Sequence, residues 1–456
     1  PFVRNFNEFV LLPRGLSVLS LWLTHRWRWL LVCALISSPA LAADTTASQS
    51  AVDTIWLAIS AGLVFFMQAG FALLEGGMAR SKNAVNVLMK NYMDVCVGGI
   101  LFWLVGFGLM FGNNPSGWFG ASHFALSSAS PWDWTFMLFQ MMFAATATTI
   151  VSGAMAERVH FSAYLIGACV ISGLIYPIFG SWAWGGYGGG DGWLKALGFV
   201  DFAGSTVVHS IGGWCALAGI MVLGPRLGRF GPNGELRPVP GHNLSLVVLG
   251  GFILWFGWIG FNGGSTLAAD VSIGKILINT HLSACASATS AALLSVFLGR
   301  PILMTATVNA SIGGLVAITA GCATMDPPYA VLTGAVAGII ATIGPAILTK
   351  MRLDDVVDAV SVHAFCGVWG TLAAGLFYSG DLFNTYRIMI QAIGIATAFI
   401  WGFGTASITY LLLARIMGIR SNAIHEQRGL DLTEHNEIGY PEFQQLHAFN
   451  PDSLNR

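Results

Sequence analysis

Two aspartate–histidine pairs lie within an otherwise apolar chain. Asp201 and His209 are eight residues apart, and Asp355 and His363 repeat this spacing in the second half of the sequence. A carboxylate or an imidazole inside an apolar segment that could lie in a lipid bilayer is energetically costly, which makes each one a candidate functional group. Two matched copies in opposite halves of a chain indicate a pathway that is built on an internal repeat.

The two histidines could act together. A pair of neutral imidazoles that share one proton can both donate and accept hydrogen bonds in a dry channel. Such a channel suits a small, polar, neutral solute better than an ion, because a naked charge costs on the order of several kcal/mol there. The alternative is a pair of unrelated core histidines, each hydrogen-bonded across helices. No metal site is predicted, because no further ligand has a suitable spacing.

Asp201 and Asp355 each stand where a helix is expected to begin. Aspartate at such a position accepts hydrogen bonds from free backbone N–H groups, so a structural cap is the first interpretation of both. A site role is compatible with the cap. A carboxylate near the outer mouth of a pathway would favour the arrival of a cation and could influence its deprotonation.

Aromatic residues at helical spacing form the next candidate set. Phe139 and Phe143 share one helix face, and Trp258, Phe261 and Ser265 follow each other along a later helix. Core packing or lipid contact is the ordinary role of such rings. A tryptophan beside a hydroxyl at an outer mouth can instead hold an ammonium-type cation by cation–π attraction and a hydrogen bond.

Composition indicates a polytopic membrane protein. Of 456 residues, 55% are hydrophobic and only 9% are charged, with a mean hydropathy of +0.68, whereas soluble domains carry about 25% charged residues. There is no basic field for nucleic acid. Eleven runs are long enough to cross a bilayer. They lie near 52–77, 92–112, 133–155, 160–180, 203–224, 244–264, 272–298, 302–321, 328–349, 357–379 and 386–417.

Residues 1–42 are expected to form a cleaved signal peptide. A basic segment around Arg26, a short apolar run and Ala40-Leu41-Ala42 fit the pattern of a secretory leader, with an uncleaved extra helix as the alternative. Cleavage would place the mature N-terminus outside the membrane, in a bacterial periplasm. The transmembrane domain would then span 43–418, and a hydrophilic tail, 419–456, would lie in the cytoplasm.

The distribution of basic residues predicts the same orientation. With the N-terminus outside, ten Lys and Arg fall in inner connections and three fall in outer ones, as the positive-inside rule requires. The ten are Arg80, Lys82, Lys90, Arg158, Arg226, Arg229, Arg237, Arg300, Lys350 and Arg352. Five spans per unit force the second unit to be inverted. We therefore predict two inverted five-helix repeats and an eleventh helix, with His209 and His363 meeting near the membrane centre.

Four motifs in order resemble the ammonium transporter/methylammonium permease/Rhesus family, in particular its bacterial ammonium transporter branch. The motifs are GAMAERVHFSA (153–163), DFAGSTVVHSIGG (201–213), GWIGFNGGS (257–265) and LDDVVDAVSVHAFCGVWG (353–370). The resemblance covers about residues 51–440. It implies a homotrimer in the inner membrane with a pore through each subunit, lipid contacts, no cofactor and no enzymatic activity.

The resemblance also assigns roles to single residues. Phe143 and Phe261 match two stacked phenylalanines that gate the pore, and His209 and His363 match the twin histidines that line it. Trp184 and Ser265 match the external ammonium site, which Phe143 closes and Asp201 supports. Trp182 lies beside Trp184 as the neighbouring alternative.

The tail adds a regulatory expectation. Residues 426–431 resemble the family's inner regulatory segment, which communicates with the docking site of trimeric PII signalling proteins, although the ending after Tyr440 departs from the usual pattern. The leading hypothesis is therefore the uptake of ammonium, with methylammonium as an analogue. An ammonium sensor on the same scaffold is the alternative. An intramembrane enzyme is the least favoured, because no nucleophile or metal-ligand set accompanies the Asp and His residues.

Overall fold

Apolar helices make up nearly all of the regular structure. The computed structural model describes residues 45–127 and 129–442. Residues 1–52 form a separate unit, of which only the helical residues 45–52 are described, and the expected signal peptide lies outside the described residues. Within the described ranges the only β pairings are two isolated bridges. A helix is the natural form for such segments, since its backbone groups are all satisfied internally in lipid.

Eleven apolar helices follow one another along the described chain, nine of them long enough to cross a bilayer and two shorter. They are α1 (Thr45–Met78), α2 (Ser81–Phe111), α3 (Pro131–Ala154), α4 (Phe161–Trp184), α5 (Ser205–Leu223), α6 (Leu244–Gly264), α7 (Ile273–Phe297), α8 (Met304–Ile318), α9 (Pro327–Lys350), α10 (Val360–Leu376) and α11 (Thr385–Ile416). Two short helices follow in the tail, α12 (Ala423–Arg428) and α13 (Leu430–His435). The eleven spans agree in number and order with those predicted from the sequence, and the largest shift of a boundary is at the start of α2.

The shifted boundary concerns Lys90. The sequence placed Lys90 in an inner connection, but α2 already begins at Ser81, and Lys90 is fully buried inside it. Its Nζ donates a hydrogen bond to the carbonyl oxygen of Ser152 at 2.9 Å. The prediction was wrong because a lysine in an apolar sequence normally marks the end of a span. Here the lysine is buried and its ammonium is hydrogen-bonded to a neighbouring helix.

Helices α5 and α10 pack against each other in antiparallel fashion. The hydroxyl groups of Thr206 and Thr371 are hydrogen-bonded, and Gly213 packs against the backbone of Ala364. Gly213 lies seven residues after Thr206 on α5, whereas Ala364 lies seven residues before Thr371 on α10, so the two helices run in opposite directions. A side chain at Gly213 would collide with the Ala364 backbone, so the close approach requires glycine. This arrangement is what the inverted repeat predicts for the last helix of each half.

Both helices begin with a π-helical turn. The turns are Ser205–Ser210 and Val360–Phe365, and they contain His209 and His363 respectively. A π-turn widens the helix locally and is frequently found at functional sites. The widened turns lie near the crossing of the two helices, which brings the two imidazoles together.

Candidate functional site

An open cavity of about 510 Å³ lies at one end of the α5 helix. Four predicted site residues line it, namely Phe143, Trp184, Asp201 and Ser265. Six of the other thirteen lining residues are aromatic, and Gln140 adds a buried amide whose Oε1 has no partner among the described residues. An aromatic cavity with a few polar groups suits a small cation that has shed part of its water.

Trp184, rather than Trp182, faces this cavity. The Trp184 indole N–H donates to the carbonyl oxygen of Asp201 at 2.6 Å, and its ring lies 6.2 Å from that of Phe143. The Trp182 indole N–H instead donates to the carbonyl oxygen of Trp118. Ser265 completes the opposite wall, and its hydroxyl donates to the carbonyl oxygen of Phe261 at 2.8 Å. The lone pairs of the Ser265 oxygen remain available to a ligand.

Asp201 caps the start of α5. Its carboxylate accepts the backbone N–H groups of Gly204, Thr206 and Val207 at 2.8–3.0 Å. Burial raises the pKa of the Asp201 carboxyl to about 6, although these N–H donors oppose the rise. The helix cap and the site role predicted for Asp201 are therefore compatible, because the carboxylate that caps the helix also lies at the cavity wall.

Two stacked phenylalanines lie directly beneath the cavity. The rings of Phe143 and Phe261 have centroids 4.0 Å apart and planes 19° from parallel, and both side chains are almost completely buried. Phe139 supports the pair, with its ring 4.6 Å from that of Phe143. Two rings this close leave no room for a hydrated ion between them.

The histidine pair follows on the far side of the stack. The His209 ring lies 5.4 Å from that of Phe261, and the Nδ1 atoms of His209 and His363 are 3.3 Å apart. If one Nδ1 donates to the other, one Nε2 remains an acceptor and the other a donor. The Nε2 of His209 is buried and has no partner within the described ranges. The pair can therefore offer hydrogen bonds to a neutral solute.

Asp355 repeats the role of Asp201 at the other end. Its carboxylate accepts the N–H of Val360 at 2.8 Å and that of Val357 at 3.3 Å, and burial raises the pKa of its carboxyl. Asp354 has a structural role, because the guanidinium of Arg226 binds it in a fork and holds the pKa of this buried carboxyl below its ordinary value. These contacts position the helix ends around the lower part of the path.

Sequence reasoning missed one group on the path. Glu75 on α1 is 2% exposed and lines a small cavity together with His363, on the side opposite the phenylalanine stack. Phe71, one turn earlier, places its ring 6.1 Å from His363. The apolar run 52–77 contains two carboxylates, Asp53 and Glu75, and each lies close enough to an end of the run to be taken for a boundary residue.

The tail packs on the ends of the helices that enclose this lower cavity. The Asp431 carboxylate accepts the N–H of Asn86 at 2.8 Å, and the Lys82 ammonium donates to the carbonyl oxygens of Glu426 and Gln427. Burial raises the pKa of the Asp431 carboxyl to about 6. The segment that resembles the regulatory region therefore contacts the start of α2 directly.

Known membrane proteins resemble the chain in both sequence and structure. The chain is 44% identical over 425 residues to the ammonium transporter Amt2 of Archaeoglobus fulgidus, covering 86% of this chain and 89% of that protein. A solved structure described as a sensor Amt protein matches with a TM-score of 0.83 at 39% identity, covering 86% of this chain and 100% of that one. The crystal structure of Candida albicans Mep2 matches with a TM-score of 0.76 at 28% identity, covering 88% and 92%. Residues 55–440 match the model of the Ammonium Transporter Family, and the chain belongs to that family of multi-pass membrane transporters.

Proposed function

We propose that the chain takes up ammonium by binding the cation outside and conducting ammonia through the pore. External ammonium is held by the Trp184 ring and the Ser265 hydroxyl, with Phe143 below it. The cation gives its proton to a water molecule near Asp201, which becomes a hydronium ion, and the neutral ammonia passes the Phe143/Phe261 gate. It then moves along His209 and His363 and regains a proton on the inner side.

The main support is a continuous line of rings. It runs from Trp184 through Phe143 and Phe261 to His209 and His363, with neighbouring centroids 4.0 to 6.2 Å apart. A cation–π site at the open end favours charge, whereas the buried, partly unsatisfied imidazoles favour a neutral hydrogen-bonding molecule. If ammonium loses its proton between the outer cavity and the histidines, each region meets the form of the solute that it favours. The mechanism is that of a conducting protein, with no enzymatic step and no cofactor.

The surrounding organisation belongs to the same proposal. Residues 1–42 are a signal peptide, 43–418 form the transmembrane domain, and 419–456 form a cytoplasmic tail. The protein is a homotrimer in the bacterial inner membrane, with the Trp184 end of the pore outside. The contacts of Asp431 and Lys82 with α2 and α12 give the tail a route to the lower end of the pore, so that a PII-type protein bound at the inner face could influence conduction.

Labelled methylammonium uptake into liposomes that contain only this protein tests the proposal. We expect saturable uptake that unlabelled ammonium inhibits. The matched control is the double variant His209→Ala/His363→Ala, with its folding verified by its unfolding temperature and its oligomeric state. Uptake no greater than in empty liposomes would refute the proposal.

A sensor is the second candidate, because one structural relative carries the description of a sensor Amt protein. A sensor would bind ammonium in the same external cavity and change the contacts of its tail without conducting. In the liposome experiment it would show saturable ammonium binding without uptake. Uptake at a rate well above that of empty liposomes would exclude a role restricted to sensing.

A further inference from the structure

Glu75 is a buried carboxylate that the mechanism above does not use. It lies in the last turns of α1 with 2% of its surface exposed, and the Asn91 amide donates to its Oε2 at 2.8 Å. Within the described ranges no lysine or arginine forms an ion pair with it. The ammonium of Lys90 lies close enough to attract the Glu75 carboxylate electrostatically, although its hydrogen bond goes to the Ser152 carbonyl. A carboxylate placed this deeply is costly unless a cation or hydrogen bonds compensate for it.

A small cavity joins this carboxylate to the pore. Its volume is about 20 Å³, and its wall includes Glu75, His363, Phe71 and Asn309. A cavity of this size holds about one water-sized molecule, and ammonia or ammonium is of the same size. The cavity adjoins His363 on the side away from the Phe143/Phe261 gate, so a molecule that leaves the histidine pair enters it next.

The Asn309 and Val357 groups define the far wall. The Asn309 amide donates to the carbonyl oxygen of Val357 at 3.0 Å, and Val357 also lines the cavity. The amide is thus held in place by the segment that follows Asp355. The cavity has a fixed polar wall, one carboxylate and one imidazole, whereas the histidine pair above it offers no negative charge.

We propose that Glu75 forms a second ammonium-binding subsite at the exit of the pore, where it acts as the counter-ion of the cation that is re-formed there. This inference rests on the proposed conduction of ammonia. Ammonia that leaves His363 takes a proton from a hydronium ion of the cytoplasmic water, so that one N–H bond forms, one O–H bond breaks and water remains. The carboxylate then holds the ammonium ion through a charge-assisted hydrogen bond until it departs.

Measurements from both sides of the membrane test this subsite. Methylammonium transport is measured in right-side-out and inside-out membrane vesicles that contain the wild type, Glu75→Gln or Glu75→Asp. For Glu75→Gln we expect the KM from the Glu75 side to rise by at least about fivefold, while the KM from the Trp184 side changes by less than about twofold. A merely structural role would change both values or neither.

Two variants keep the test decisive. Asp94→Asn removes another fully buried carboxylate, which bonds the Tyr164 hydroxyl and does not line the cavity, so its two KM values should match those of the wild type. If Glu75→Gln fails to assemble, Glu75→Asp replaces it, because it keeps the charge but withdraws it by one methylene group, and a rise restricted to the Glu75 side is again expected. Unchanged KM values on that side, or an equal rise for Asp94→Asn, would overturn the subsite. Wild-type transport would in either case leave the proposed function standing.

Discussion

The indole of Trp258 lies parallel to the imidazole of His209, with ring centroids 5.2 Å apart and planes at 22°. The indole N–H donates to the hydroxyl of Thr319 at 2.9 Å, which fixes the plane of the indole. Trp258 and Phe261 are three residues apart on α6, so one turn of this helix supplies both the support of His209 and a ring of the gate. The orientation of the histidine therefore depends on a neighbouring helix as well as on its own.

Trp258→Leu should loosen His209 without touching the substrate path. We expect maximal methylammonium uptake to fall several-fold, because the imidazole loses the ring that orients it, and the free energy of unfolding to fall by about 3 kcal/mol through the lost core volume. Trp258→Phe keeps a ring, so its uptake and its free energy of unfolding should lie between those of the wild type and those of Trp258→Leu. Wild-type uptake by a folded Trp258→Leu variant would show that the stacking is irrelevant to conduction.

Trp184→Leu tests the external site. Loss of a cation–π contact of about 1–2 kcal/mol should raise the KM for methylammonium by roughly 5- to 30-fold, with a smaller change in maximal rate. Trp182→Leu is the matched control, because the Trp182 ring is buried and its N–H is bound to the Trp118 carbonyl outside the cavity. We expect it to lower the unfolding temperature and to leave the KM unchanged. A rise in KM for Trp182→Leu alone would assign the site to the other tryptophan.

Phe143→Ala should open the gate. The 4.0 Å stack with Phe261 is lost, and the outer cavity then continues as far as the histidines. We expect a measurable potassium leak in liposomes that the wild type lacks, because a wider, wetter path lowers the barrier to a hydrated cation. Phe143→Leu retains most of the side-chain volume and should leak much less. If Phe143→Ala shows no potassium leak and stays selective for ammonium, the selectivity does not depend on the Phe143/Phe261 stack.

Asp201 predicts a pH dependence of stability with a definite sign. The pKa of its carboxyl in the folded protein is about 6, above the ordinary value of 3.8, so the protonated form is favoured by folding. The resulting stabilisation is complete below about pH 4 and is lost as the pH rises through 6, by up to about 3 kcal/mol. The difference in unfolding temperature between the wild type and Asp201→Asn should therefore shrink over this range. A difference that grows from pH 4 to pH 7 would contradict this assignment.

Asp201→Asn should also be less stable than the wild type at the acidic end of that range, where the wild-type carboxyl is protonated. An asparagine has one acceptor oxygen in place of two, and its NH₂ group would face backbone N–H donors of residues 204–207 that now lack a partner. We expect a cost of about 1–3 kcal/mol from this mismatch. The wild-type and variant unfolding curves, measured in the same detergent, provide the comparison.

The sequence located most of the fold because lipid leaves few alternatives. Runs of apolar residues define the spans, and the paired spacing of Asp201–His209 and Asp355–His363 indicated an internal repeat. Five spans per unit then predicted the inversion and the meeting of the histidines. Glu75 and Lys90 were harder to interpret, because a charge near the end of an apolar run marks a boundary as often as a buried group. Their burial depends on Asn91 and Ser152, partners that are contributed by other turns and helices, which no local pattern indicates.

The choice between Trp182 and Trp184 also needed the tertiary structure. Two tryptophans two residues apart near the end of α4 point in different directions, one towards Trp118 and one towards Asp201. Periodicity alone gives their angular separation but not which neighbour each one meets. The π-helical turns raise the same difficulty, because they arise from the packing of α5 on α10 rather than from a residue preference.

The antiparallel pairing of α5 and α10 relates the two histidines by inversion, because each lies in a π-turn that a buried aspartate precedes. The inversion does not extend to their neighbours. The His209 ring stacks on Trp258 and Phe261, whereas His363 adjoins Phe71 and the small cavity of Glu75. Any preference of the proposed pore for one direction must therefore come from these unlike neighbours, and from the gradients that the cell maintains across the membrane.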